Sequence, residues 1–418
     1  MTPFWVPKAN VFIQCISPLP MATAGNYVKA SLYTPLVYDA LEEYAYDAEP
    51  AGLEYSVSSH SMGLEVIVSG YNDKLPVLLE KVLTTMRDLE VKQARFDIIK
   101  ERLARGLKNW DFQQPYNQVG DYMRWLSSEK GYITEQHLAE LPYVTVDDIQ
   151  QFYPYLLRQM HIETFVHGNL YREDALKLAG LTESIFKPRV LPQTQWPIGR
   201  SLVFPPGANC VYRKTWKDPV SVNHCIKYVL SIGDKAVYLQ RAKTLLLNQM
   251  IHEPASHSIT TTTIAYIFTI QNEKTPQYLK ERIDSFLLRY SEILKSMSDS
   301  EFEGHKRSLI TRRLEKLKDL DQESIHLWLH INYKYFDFEL AHHDAANVKK
   351  QTQTKKTISM NNESCKDAED GYGQAIAIKA EDNGTTPCLI TDVRQFKAEL
   401  QITPRPQPVK PISEFEEP

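Results

Sequence analysis

The apolar positions are most regular between residues 37 and 89. Val37, Leu41, Tyr44 and Ala48 recur at i, i+4, i+7 and i+11, the spacing of one helix face. Pro50-Ala51-Gly52 stops that helix. Leu53, Tyr55 and Val57 then alternate with Glu54, Ser56 and Ser58, the period of a strand with one buried face. His60-Ser61-Met62-Gly63 predicts a turn, and Leu64, Val66 and Val68 supply the returning strand. After Gly70-Tyr71-Asn72-Asp73-Lys74, the residues Leu75, Leu78, Leu79, Val82, Leu83, Met86 and Leu89 share one face of an amphipathic helix. Pro76 is tolerated there because first-turn N–H groups have no intrahelical partner. The pattern predicts helix, antiparallel hairpin, helix.

Upstream, 4–16 reads as a strand interrupted by Pro7, expected at a sheet edge or starting late. A strand this close to Met1 is expected to have its natural partner segment upstream. Downstream, Phe96, Ile99, Leu103, Leu107 and Trp110 form a further helical stripe, broken at Gln113-Gln114-Pro115. Helices are expected over 118–127, 134–141 and 146–158, a strand over 162–167 closed by Gly168-Asn169, and a short helix over 173–178. Prolines at 192, 197, 205 and 206 mark a linker.

The second half repeats the first. Val220, Val222, His224, Ile226, Tyr228 and Leu230 alternate as a strand. Leu239, Ala242, Leu246 and Met250 predict a helix stopped by Glu253-Pro254, and 264–270 a strand. Leu279, Ile283, Phe286, Tyr290 and Leu294 predict the next helix, followed by helices over 301–313 and 324–335. Asn272-Glu273-Lys274-Thr275-Pro276 matches Asn72-Asp73-Lys74-Leu75-Pro76, each quintet between a strand and an amphipathic helix, which argues that one unit was used twice. Between Ala255 and Ile264 the second copy is short, so a strand and a turn are expected to be missing, leaving 264–270 with an open edge. Periodicity ends near residue 345. Short strands are expected at 374–379 and 388–393, and the prolines at 404, 406, 408 and 411 predict an extended, solvated tail. The expected fold is α+β: two homologous units, each a mainly antiparallel sheet packed with helices, the second incomplete. Domains are expected at 1–197 and 205–345, with a poorly ordered tail over 346–418.

Composition narrows the function. A net charge of −4 without a dominant basic patch makes nucleic acid a poor partner. Five cysteines are scattered singly with no Cys-x-x-Cys, which predicts free thiols in a reducing compartment and no cysteine zinc site. The N-terminus does not read as a signal peptide, and no apolar run is long enough for a bilayer. A cytoplasmic or mitochondrial location is expected, with no membrane partner.

Catalytic motifs are sparse. His252-Glu253 begins a His-Glu-x-x-His, but Pro254 and Ser256 end it, and His-x-x-Glu-His is absent from the sequence. His326 and His330 are one helical turn apart, but catalytic zinc takes three protein ligands and the sequence indicates no third. They read as two histidines on an aromatic helix, and His342-His343 as surface residues. Cys15 and Cys225 alternate within strands and read as core. No catalytic or metal-ligating residue is expected in this chain.

A denser signal lies in Phe4-Trp-Val-Pro-Lys8, Leu41-Glu-Glu-Tyr-Ala-Tyr46, Ala51-Gly-Leu53, Gly70-Tyr-Asn-Asp-Lys74, Arg95-Phe96, Gln114-Pro115, His161-Ile-Glu163 and His167-Gly-Asn169. These resemble the third domain of the insulinase-type (pitrilysin, inverzincin) zinc metallopeptidases, and the resemblance runs to about Tyr335. It implies four homologous α/β domains in the whole enzyme. An N-terminal half carries His-x-x-Glu-His and the zinc, and a C-terminal half encloses the peptide. By this resemblance 1–197 is the third domain and 205–345 a partial fourth. The chain is then a substrate-enclosing half without the zinc-binding domain, inactive alone and working with a catalytic N-terminal half in cis or trans. Peptide is the expected substrate and a homodimer an expected assembly. A peptide-binding or dimerisation module without a catalytic role is the alternative. The family's fourth domain follows its Glu-Pro with an Arg and a Gly-Tyr pair that reach substrate. Here no Arg lies between Glu253-Pro254 and Tyr266. A deletion is expected, with Tyr266 the one candidate substrate-binding residue if the segment is instead retained.

Overall fold

The computed structural model describes residues 4–205, 208–218, 220–251, 255–259, 263–351, 375–379, 388–411 and 414. In chain order the first half contains β1 (Lys8–Ile16), α1 (Ala24–Ala48), β2 (Leu53–His60), β3 (Gly63–Tyr71), α2 (Leu75–Arg87), α3 (Gln93–Asn109), α4 (Pro115–Ser127), α5 (Thr134–Glu140), α6 (Val146–Arg158), β4 (Gln159–Gly168), α7 (Arg172–Phe186) and β5 (Arg189–Val190). The second contains β6 (Leu202–Val203), β7 (Asn209–Arg213), β8 (His224–Asp234), α8 (Tyr238–Met250), β9 (Ala255–Ile259), β10 (Thr263–Asn272), α9 (Pro276–Ser296), α10 (Asp299–Arg313), α11 (Leu320–Asn332), α12 (Leu340–Lys349), β11 (Ala375–Lys379), β12 (Cys388–Leu389), α13 (Val393–Glu399) and β13 (Gln401–Ile402).

The chain divides into two compact units. One is Met1–Asn109, Lys130–Ile198 and Leu317–Lys334; the other is Trp110–Glu129, Gly199–Lys316 and Tyr335–Pro418. Each unit therefore takes a helix from the opposite half of the sequence: α11 belongs to the first unit and α4 to the second.

In the first unit the strand order is β2-β3-β1-β4-β5. β1 is antiparallel to both β3 and β4, so it lies inside the sheet; of the two placements Pro7 left open, the strand takes the late start, at Lys8. Pro7 merely precedes the strand, and its carbonyl accepts from the Asn72 N–H at 3.2 Å. The register sets Ile13 opposite Val66 and Val11 opposite Val68. Ala9, Val11, Ile13 and Cys15 thus share a face with Leu64, Val66 and Val68, buried among the helices. Helix α2 adds Leu75, Leu78, Leu79, Val82, Leu83 and Met86, all fully buried. Each such side chain contributes about 1.5–3 kcal/mol relative to exposure. Gly63 opens β3 at φ +136, where any Cβ would stand 2.1 Å from the Cys15 carbonyl oxygen, so the hairpin requires glycine there. α1 starts at Ala24, thirteen residues before the stripe that predicted it (37 − 24), with Pro35 in its interior. Val28, Leu32, Tyr33 and Leu36 are buried, and that packing outweighs the hydrogen bond that Pro35 cannot make.

In the second unit the order is β12-β7-β11-β8-β10-β9. Ile226, Tyr228, Tyr266 and Phe268 face a core built with Ala242, Leu246, Leu279, Ile283 and Leu287. Both matched quintets fall between a strand and a helix, as the repeat predicted. The missing strand is a correction. β9 is present and pairs antiparallel with β10 from Ile264↔Ile259 to Phe268↔Ala255. Its Ser-rich run shows no apolar alternation, so periodicity could not reveal it, and the hairpin edge is β9 rather than β10. Glu253-Pro254 and His252 lie outside the described residues. Val220 and Val222 precede β8 and are 83 % and 64 % exposed, so they are not strand positions. Within 346–418 the described residues include β11, β12, α13 and β13. β13 pairs with β6, and the Thr403 N–H donates to the Ser201 carbonyl at 2.9 Å. Among the described residues no helix is long and apolar enough to cross a membrane.

Candidate functional site

The second face of the first sheet is the polar one. Strand alternation puts Asn10, Phe12 and Gln14 of β1 beside Glu65 and Ile67 of β3, and beside Glu163, Phe165 and His167 of β4. Ser58 of β2 stands opposite Glu65, and Ser56 opposite Ile67. A sheet face with this many polar groups needs partners for those that are buried. Helix α11 supplies them. Asn10, 3 % exposed, donates through Nδ2 to Asp321 Oδ1 at 2.8 Å and to Ser324 Oγ at 2.9 Å. Ser324 Oγ donates to the Leu320 carbonyl and lies 2.8 Å from His167 Nδ1. Trp328 lies over Phe12 with ring centroids 5.4 Å apart, and its Nε1 donates to Glu65 at 2.7 Å. Lys334 pairs with Glu163.

Three histidines sit on this face. His60 Nε2 is 3.0 Å from the amide of buried Gln14. His161 stacks on Trp196 at 4.0 Å between centroids, and His167 Nε2 is 3.4 Å from Glu323. Burial holds all three below the ordinary histidine range, against the opposing pull of Glu65, Glu163 and Glu323 respectively. They are therefore neutral at pH 7, able to donate and accept hydrogen bonds. The half-buried part of the face, with Ser56, Ser58, His60, His161 and Glu163, joins hydrogen-bonding groups to aromatic surface. That is the chemistry of binding an extended polar chain.

These histidines set a pH dependence, together with His137 of α5. His137 stacks on Tyr27 at 4.2 Å, its Nε2 has no hydrogen-bond partner among the described residues, and burial pulls it down to about 4. A folded pKa below the unfolded one contributes stability above the unfolded value and loses it as pH falls. Melting temperature should therefore fall between pH about 6.5 and about 4, with His137 contributing at most about 3 kcal/mol. His137→Phe should flatten that part of the profile in a pH series of thermal melts. An unchanged slope would contradict the assignment.

Tyr266 is a core residue. It is 1 % exposed, and its hydroxyl donates to the Thr244 carbonyl in α8. Burial, then the neighbouring Tyr290, pushes its phenol well above the ordinary tyrosine range. In this fold its ring packs in the core of the second unit, among Tyr228, Phe268 and Leu246. Tyr266→Phe should lower stability by about 1 kcal/mol in denaturant unfolding. Unchanged stability with altered peptide affinity would restore the ligand-binding reading. His326 and His330 lie on α11 with ring centroids 4.9 Å apart. His343 is not a free surface residue, because its Nδ1 is 3.0 Å from Asp337 Oδ1. Among the described residues no group of three or more His, Cys, Asp or Glu could hold a metal ion, so these residues do not fit a zinc centre.

Sequence reasoning missed the role of Asp321, Ser324 and Trp328. The available signal was the polar parity of Asn10, Gln14, Glu163 and His167 on strands whose other face is apolar.

Residues 2–140 match the middle or third domain of peptidase M16, and residues 246–328 match a C-terminal lobe domain 4 of the PQQ synthase PqqF-like type. A putative zinc protease of Schizosaccharomyces pombe is 34 % identical over 372 residues, covering 85 % of this chain and 38 % of that protein. The chain belongs to the insulinase (peptidase M16) family. The human insulin-degrading enzyme is 31 % identical over 377 residues, 85 % of this chain and 36 % of that enzyme. The insulinase-family chain thus spans well under half the length of these relatives. Its fold is that of part of crystalline pitrilysin, with a TM-score of 0.80 at 18 % identity, covering 96 % of this chain and 44 % of that one.

Proposed function

We propose that this chain is the C-terminal, substrate-enclosing half of an insulinase-type zinc metalloendopeptidase, without the zinc-binding domain and inactive alone. The observation that carries the reading is the order of the two family segments: a third domain followed by a fourth. The absence of His-x-x-Glu-His from the sequence supports it. Hydrolysis of a peptide bond by polarised water would then fall to a zinc-bearing half, in cis or in trans, where metal and base are supplied together. This chain's part would be to bind peptide, with the half-buried part of the polar face, around Ser56, Ser58, His60 and His161, as the proposed contact surface.

The test is a fluorogenic-peptide assay with three samples: this chain, the zinc-bearing half of a relative, and both together. The reading expects cleavage above the zinc half's own rate only in the mixture, abolished by chelator. Cleavage by this chain alone would overturn it. Peptide binding without any gain on mixing would favour a binding module with no catalytic partner.

A further inference from the structure

Two of the cysteines, singly placed in the sequence, meet in the second unit. β12 runs parallel to β7 in a register that sets Cys388 opposite Cys210 and Leu389 opposite Val211. The Ile390 N–H extends that ladder with a 2.8 Å bond to the Val211 carbonyl, so the register is held immediately after the pair. Register partners on neighbouring strands lie about 4.7–4.9 Å apart and project to the same face. A disulfide accepts Cα separations of about 4.4–6.8 Å, so the backbone already stands within its range. The two thiols differ in access: Cys388 is exposed, whereas Cys210 is 7 % exposed. Cys15 and Cys225 are buried on β1 and β8, and neither of those strands neighbours β7 or β12.

The geometry points to Cys210 and Cys388 as a thiol pair that closes to a disulfide and pins β12, with the segment that follows it, to β7. The oxidant class is a low-molecular-weight disulfide such as glutathione disulfide. The exposed Cys388 thiolate attacks one glutathione sulfur, the glutathione S–S bond breaks, and one glutathione leaves as thiolate and takes up a proton. Cys210 then gives its proton to water, and its thiolate attacks the Cys388 sulfur and expels the second glutathione. Two protein thiols are oxidised and one glutathione disulfide is reduced to two thiols. Burial pushes the Cys210 thiol up to about 11, so the second step is the slow one, and the pair stays open while the thiol pool is reduced. Closure would tether a segment otherwise held by short pairings and a few side chains, among them Phe396 packed on Phe204 at 6.1 Å.

The experiment incubates the full chain with glutathione disulfide, then reads intact mass, free thiols and a non-reducing peptide map. The expected result is loss of two hydrogen masses, a fall from five free thiols to three, and one peptide joining Cys210 to Cys388. Dithiothreitol should reverse it. Because Cys388 is exposed, Cys388→Ser should fold normally and keep all its remaining thiols. Cys210→Ala should stop at a Cys388–glutathione adduct. A stable adduct on the unaltered chain, a crosslink to another cysteine, or two unreacted thiols at these positions would each overturn the proposal.

Discussion

Combined with the zinc-bearing half of a relative, this chain should restore peptide hydrolysis at least about a hundredfold more weakly than an intact C-terminal half does. The expectation rests on side chains, not on a broken fold. The hairpin after residue 254 is present, since β9 pairs with β10 over five residues. What is missing is the pair of groups that the family resemblance places there. No Arg lies between Glu253 and Tyr266, and the Tyr266 hydroxyl is already bonded to the Thr244 carbonyl in the core. Removing one preorganised donor to a developing oxyanion costs about 3 kcal/mol, on the order of a hundredfold or more in rate. Two such losses need not add, because groups that act together are not independent. Equal rates for this chain and an intact half would show that neither group is needed. A large further loss on Tyr266→Phe, at unchanged stability, would show that Tyr266 does reach the substrate.

Trp328→Ala should destabilise the first unit by about 3–5 kcal/mol, the usual range for deleting a buried aromatic side chain. Trp328 is 4 % exposed. It stacks on Phe12 and lies 6.2 Å from Phe165 between centroids. Its loss would also leave Glu65 without the indole donor, 2.7 Å away. Because Trp328 lies more than 300 residues from Phe12 in sequence, the effect tests whether α11 is part of the first unit's core. Hydrogen exchange should speed up along β1 and β4, with α2 changing least. A loss below about 1 kcal/mol would mean that α11 rests on the sheet without helping to hold it.

The elements legible in the sequence were those whose apolar period is unbroken. The α2 stripe from Leu75 to Met86, the hairpin of β2 and β3, and the repeated Asn-Asp/Glu-Lys-x-Pro turn all fall where the pattern put them. Local signals failed where long-range packing decides. The stripe from Val37 gave only the second half of α1, which begins at Ala24 and runs through Pro35 because Val28, Leu32, Tyr33 and Leu36 are buried. β9 has no apolar alternation and exists through its ladder with β10. The candidate site was not drawn from the sequence: the polar parity of Asn10, Gln14, Glu163 and His167 was its local signal, and no local pattern announces that a helix beginning at Leu320 will cover them. The Cys210–Cys388 pair was hidden for the same reason, since spacing in sequence says nothing about which strands become neighbours.

The proposed division of labour between a peptide-enclosing chain and a zinc-bearing half is tested most directly by metal content. The full chain, purified and dialysed, and its mixture with the zinc-bearing half of a relative should both be analysed for zinc. The account predicts no stoichiometric zinc in the chain alone, and zinc in the mixture only in proportion to the added half. One tightly held zinc per chain in the first sample would contradict it.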